Sequence, residues 1–304
     1  MLYHLILTEF AITQSDPISR VAVVSTGSVA IRPEHVGPTK KSQTNWLLTS
    51  RNWTTPLPIN VYILEHEGGL VLFDTGQDRA SVTDPHYFPS GPLGAIYSRL
   101  ARFEIGEGDT LTSQLAAAGF DIANVTTVLI SHLHQDHIGG LRELGHAQIL
   151  VSEDEFADLS RPHPALRGLL RKHIDLPGLD WKPFAFAPLS GTELAPFTTG
   201  FDVFGDGSLV VLPTPGHTPG SISLLVRRPT HPPLLLVGDL TYDIERMEHG
   251  DVPGSGNQPE MHRSSDMVAE LCTRMSGLVV LAAHDPSAAG RLRASLESVT
   301  PAGS

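Results

Sequence analysis

Apolar positions along this chain come in short runs that stop at glycine, proline or a polar residue. The run Ile59-Asn60-Val61-Tyr62-Ile63-Leu64, the pair Gly68-Gly69 and the run Leu70-Val71-Leu72-Phe73 form a strand–turn–strand pattern. The second run ends in Asp74-Thr75-Gly76. Helical spacing over 110–118 stops at Gly119. Buried strands are predicted over 125–130 and 147–151, with a helix over 153–160. The second half repeats this grammar, with strands over 208–212, 221–226, 234–237 and 278–281 and helices over 264–276 and 287–297. Polar residues gather just beyond the strand ends, which puts chemistry on loops carried by a rigid sheet.

Two stretches break the pattern. Residues 26–58 and 81–106 carry aromatic residues and several prolines, and read as long loops of the kind that form lids or binding walls. Met1–Phe10 lacks a basic segment and is interrupted by Glu9, so it reads as a first strand rather than a leader. Residues 298–304 read as a short flexible tail. With no linker-like composition between them, residues 1–304 read as one domain.

Composition narrows the function. At 40% hydrophobic and 18% charged the chain is ordinary globular material. A net charge of −12 with scattered basic residues argues against nucleic-acid and anionic-membrane partners. No apolar run approaches a membrane span. Cys272 stands alone, at helical spacing among apolar residues, and reads as core. A cytoplasmic protein is expected.

The chemistry lies in His132-x-His134-x-Asp136-His137, directly after the 125–130 strand. Residues two apart on an extended segment project to one side, so His132 and His134 can grip one ion. The chain then turns toward a helix, and Asp136 and His137 can face a second. With 15 His and 18 Asp in 304 residues, chance supplies such a match roughly 0.002 times. His217, Asp239 and His284 each follow a predicted strand. Imidazoles with carboxylates suit zinc, and also manganese, iron or cobalt.

These residues resemble the metallo-β-lactamase superfamily and, within it, the dinuclear N-acyl-homoserine lactone lactonases, over about Ile59 to His284. The resemblance implies an α+β fold, an αββα sandwich with the site at one edge of its sheets. It implies that His132, His134 and His217 bind one metal, that Asp136, His137 and His284 bind the other, and that Asp239 bridges them. Asp74 would orient a ligand histidine. Tyr242, three residues past the bridging acid, would donate to the oxyanion. Asp136 could pass a proton to the leaving alkoxide.

The expected reaction is therefore lactone opening by a metal-bridging hydroxide on a pair of divalent ions, zinc first among them, with acyl-homoserine lactones as substrates and quorum quenching as the consequence. A phosphotriesterase or aryl-ester hydrolase on the same site, and a non-catalytic metal-binding protein, are the rival readings. A homodimer is expected through the N-terminal loop. Position near the motifs suggests Trp46, Phe88, Ile96, Tyr97, Ile138 and Met247 as the pocket wall. Among the remaining histidines, read as solvated or packed, only His249 and His262 are placed to approach it.

Overall fold

The computed structural model describes residues 16–297, so the strand expected at 1–10 and the tail at 298–304 lie outside the described residues. The strands are β1 (Ile18–Ile31), β2 (Leu57–His66), β3 (Gly69–Phe73), β4 (Ala101–Glu104), β5 (Val125–Leu129), β6 (Gln148–Ser152) and β7 (Asp180–Phe184), followed by β8 (Ala187–Pro188), β9 (Thr199–Asp202), β10 (Leu209–Pro213), β11 (Ile222–Val226), β12 (Leu234–Leu236) and β13 (Val279–Leu281). They make two mixed sheets, ordered β4-β1-β2-β3-β5-β6-β7 and β13-β12-β11-β10-β9-β8.

Period-two alternation explains why the sheets stack and why each also carries helices. Tyr62, Leu64, Val71 and Phe73 face Val211, Leu224, Val226 and Leu236 between the sheets. Their neighbours Val61, Ile63, Leu70 and Leu72 point the other way, onto Leu111 and Leu115 of the helix Leu111–Ala117. On the far sheet Val210, Leu212 and Leu225 meet Met261, Val268 and Leu271 of the helix Gln258–Arg274. The result is the helix–sheet–sheet–helix order expected. Each of these fully buried side chains contributes ~1.5–3 kcal/mol, so the strand ends that carry the histidines are held on a stiff frame.

The two stretches read as loops contain regular structure. The first strand continues to Ile31, and the helices Pro33–Val36 and Gln43–Thr49 follow it. A bulge hid the strand: its register on β2 shifts between Ser25 and Ser28, around Gly27 at φ +107°. A bulge reverses the inside–outside alternation midway, so neither half of the pattern is long enough to read. Residues 81–106 hold the helix Gly91–Leu100 and then β4, which pairs with β1 at the sheet edge.

Candidate metal centre

Four strand ends bring the chemistry together. Beyond β5 the backbone stays extended through Ile130, whose N–H donates to Leu150 O. His134 then occupies the N-cap of the short helix Gln135–Ile138, which carries Asp136 and His137 on its first turn. His217 lies in the β10–β11 loop, and Asp239 and His284 follow β12 and β13. Those last two strands run parallel and in register, so their ends lie side by side.

All seven predicted side chains meet at one place. His132, His134 and His217 form one group whose nitrogens lie within 4.8 Å of one another, and Asp136, His137 and His284 form a second group on the same criterion. Asp239 touches both. Its Oδ1 is 3.3 Å from His137 Nε2 and 3.4 Å from His284 Nε2, while its Oδ2 is 3.5 Å from His217 Nε2. One carboxylate thus presents an oxygen to each group.

The outer nitrogens decide which lone pairs point inward. His137 Nδ1 donates to Asp74 Oδ2 at 2.8 Å, His284 Nδ1 to Pro58 O at 2.8 Å and His134 Nε2 to Arg167 O at 3.0 Å. His132 Nδ1 lies 3.0 Å from Ser131 Oγ, which itself donates to Asp74 Oδ2 at 2.8 Å. With their protons held outside, these rings turn unprotonated nitrogens toward the centre. His132 Nε2 and His217 Nε2 each stand 3.0 Å from His134 Nδ1. The His132 and His134 lone pairs, packed that closely, repel, and a cation between them removes the conflict. His137 Nε2 and Asp239 Oδ1 are buried with no hydrogen-bond partner, which a metal ligand also explains. The residues present therefore fit a dinuclear divalent metal site.

Electrostatics point the same way. Burial, with His137 and His134 alongside, drives His132 well below the ordinary imidazole range. Burial lowers His217 to about 3 against the pull of Asp239. His137 goes the other way: despite burial, the Asp239 and Asp74 carboxylates raise it strongly. Burial and the adjacent Asp239 keep the Tyr242 phenol protonated. Its Oη donates to Asp239 Oδ2 at 2.8 Å, and its ring stacks on His284 at 5.4 Å.

Glu155, overlooked in the sequence, ties the two halves of the site. Its carboxylate accepts from Leu133 N at 2.8 Å, Thr218 Oγ1 at 2.6 Å and Gly220 N at 3.2 Å. It thereby bolts the residue between His132 and His134 to the loop holding His217. Gly168 backs the centre: its φ is +88°, and a Cβ there would lie 2.5 Å from His134 Cδ2.

The cluster floors a cavity of about 330 Å³. Among the wall residues expected, Phe88 and Tyr97 line it, joined by Val29, Ile31 and Phe103. The other four do not. Trp46 is fully buried behind the wall, Ile138 and Met247 belong to the helix–sheet cores, and Ile96 faces an adjacent groove. His249 and His262 are exposed and away from the cavity. His35, read as uninvolved, lines it. Cys272 packs against the far-sheet core, and no helix among the described residues is long and apolar enough to cross a membrane.

Known proteins show the same framework. An N-acyl homoserine lactonase AttM from Rhizobium radiobacter is 33% identical over 234 residues, 76% of this chain and 83% of its own length. A solved N-acyl homoserine lactone hydrolase with N-hexanoyl-L-homoserine at its catalytic metal centre superimposes at a TM-score of 0.70, with 22% identity over 90% of this chain and 95% of that one. AidC, a dizinc quorum-quenching lactonase, superimposes at 0.56 with 18% identity, covering 90% and 91%. Residues 54–284 match the family model described as the metallo-beta-lactamase superfamily. A match over most of the chain, ending on the last histidine of the cluster, means that this chain belongs to the metallo-beta-lactamase superfamily.

Proposed function

We propose that this chain is a metal-dependent hydrolase that opens lactone rings, with N-acyl homoserine lactones as its substrate class and quorum quenching as the outcome. The observation that carries the reading is Asp239, whose two oxygens face two separate ligand groups on the floor of a partly apolar cavity. The relatives named N-acyl homoserine lactonase support the substrate class. In this reading His132, His134 and His217 hold one ion, Asp136, His137 and His284 the other, and Asp239 both. Imidazole and carboxylate donors favour zinc. Single-cysteine composition suits the cytoplasm.

Two divalent ions held there would supply a nucleophile from water at neutral pH and a Lewis acid for the carbonyl. The chain's own residues do the rest. Asp74, Ser131, Pro58 O and Arg167 O fix ring orientation and protonation, so the centre is assembled before substrate arrives. Tyr242, protonated and lining the cavity, donates to Asp239 before substrate arrives and redirects its O–H to the charge that develops on the substrate carbonyl. Asp136, the most open of the carboxylates here, carries a proton to the departing alkoxide. Val29, Ile31 and Phe103 exclude water and receive an acyl chain.

One observation favours the aryl-ester or phosphotriester reading: Phe88 lies 5.6 Å from Tyr97 and 6.0 Å from Phe103, an aromatic wall fit for an aryl group. Assays of proton release on N-hexanoyl homoserine lactone and of aryl release from paraoxon, run side by side, separate the two. The lactone should give the larger kcat/KM, and chelation should abolish it. A preference for paraoxon refutes the lactonase reading.

A further inference from the structure

His35 stands at the cavity wall and belongs to neither ligand group. It sits on the short helix Pro33–Val36, just past Val29 and Ile31, which pair with Phe103 and Ala101 to make the apolar wall. Asp239, His134 and Asp136 are the charged and titratable groups that act on it from the metal side. The ring therefore lies where the apolar wall meets the metal centre.

Its orientation and protonation pattern follow from its surroundings. The fully buried Trp46 meets it edge to face, centroids 4.8 Å apart at 79°. Trp46 Nε1 and His35 Nδ1 are both buried without a hydrogen-bond partner. They are not bonded to each other, and with no acceptor against the buried Nδ1 a proton there would be stranded, so the ring's single proton sits on Nε2. Burial lowers the imidazole to about 4 despite the pull of Asp239, so the ring is neutral at working pH.

We propose that His35, oriented by Trp46, is a substrate-positioning residue whose Nε2–H donates to the amide oxygen of an N-acyl lactone. The inference rests on the lactonase reading above. In such a substrate the amide links the ring, which must reach the metal floor, to the chain, which lies along Val29 and Ile31. A neutral donor at the junction of floor and wall matches that oxygen, and the reacting carbonyl already has Tyr242.

The test compares N-hexanoyl homoserine lactone with γ-decalactone, which carries a hexyl chain and no amide. For His35→Phe, loss of one neutral hydrogen bond should raise KM for the amide-bearing lactone roughly fivefold to tenfold. Its kcat, and both constants on γ-decalactone, should stay within about twofold, because the bond acts equally on bound substrate and transition state. His35→Gln, which restores a donor, should recover most of the loss. Trp46→Leu, which removes the edge-to-face contact that orients the ring, should show a smaller KM effect confined to the same substrate. Equal losses on both lactones, or none on either, overturn the inference while leaving the lactonase reading intact. A wild-type chain inert toward both lactones overturns the two together.

Discussion

Replacing Asp74 with asparagine removes one charge and changes no volume, yet it should disable half of the metal centre. Asp74 is buried and holds φ +64°, a left-handed conformation that asparagine also tolerates. Its two oxygens accept three hydrogen bonds, from Ser131 N at 2.7 Å to Oδ1, and from Ser131 Oγ and His137 Nδ1 at 2.8 Å each to Oδ2. An asparagine has one acceptor oxygen and one NH2. If the oxygen keeps Ser131 N, the NH2 faces His137 Nδ1, and the imidazole must move its proton to Nε2. That nitrogen is then no longer a metal ligand. The opposite rotamer sets the NH2 against a backbone N–H that cannot turn away. Either outcome loses a charge-assisted hydrogen bond of about 1.5–3 kcal/mol, or roughly a tenfold to hundredfold weakening of the ion held by Asp136, His137 and His284. Competition with a chromophoric chelator should show one ion released early and the other at the wild-type chelator concentration. Two ions held within about twofold of wild-type affinity would refute the reasoning.

Three further outcomes follow from the same geometry. Tyr242→Phe should keep both ions and lower kcat/KM on a lactone about tenfold or more; unchanged turnover would reduce the residue to packing on His284. Glu155→Ala leaves the buried N–H groups of Leu133 and Gly220 without an acceptor, while Thr218 Oγ1 keeps Ser221 Oγ at 2.6 Å, and should lower unfolding free energy by about 2–4 kcal/mol, read from the urea midpoint. A Glu155 variant with wild-type stability would show that the two loops hold themselves. Gly168→Ala forces a Cβ toward His134 at a positive φ, at a cost of about 1–3 kcal/mol, and should weaken the ion at His132, His134 and His217 selectively in the same chelator assay.

Much of this was legible because the fold keeps its chemistry at strand ends, where a sequence announces itself. An apolar run that stops at His132, His217, Asp239 or His284 marks both the strand and the residue it delivers. The residues that were not legible act through contacts distant in sequence. Glu155 looks like an acidic residue on a surface helix, and only the approach of the 217–220 loop turns it into a buried acceptor. His35 hides in a four-residue helix behind a bulged strand whose alternation reverses at Gly27. Nearness in sequence misled part of the pocket wall: Phe88 and Tyr97 do line it, but Ile138, which directly follows His137, is turned into the core by the helix. His35, 97 positions before His132, faces the cavity because β1 pairs with β2 and β4 beside it.

The central claim is that seven side chains seat two divalent ions joined through Asp239. Elemental analysis of the purified chain, followed by calorimetric titration of the stripped protein with zinc, tests it directly. Two ions per chain are predicted, with Asp239→Ala retaining at most one and losing lactone turnover. A wild-type chain that turns over lactone at full rate with one ion or none, or an Asp239→Ala variant that still binds two tightly, would contradict the account.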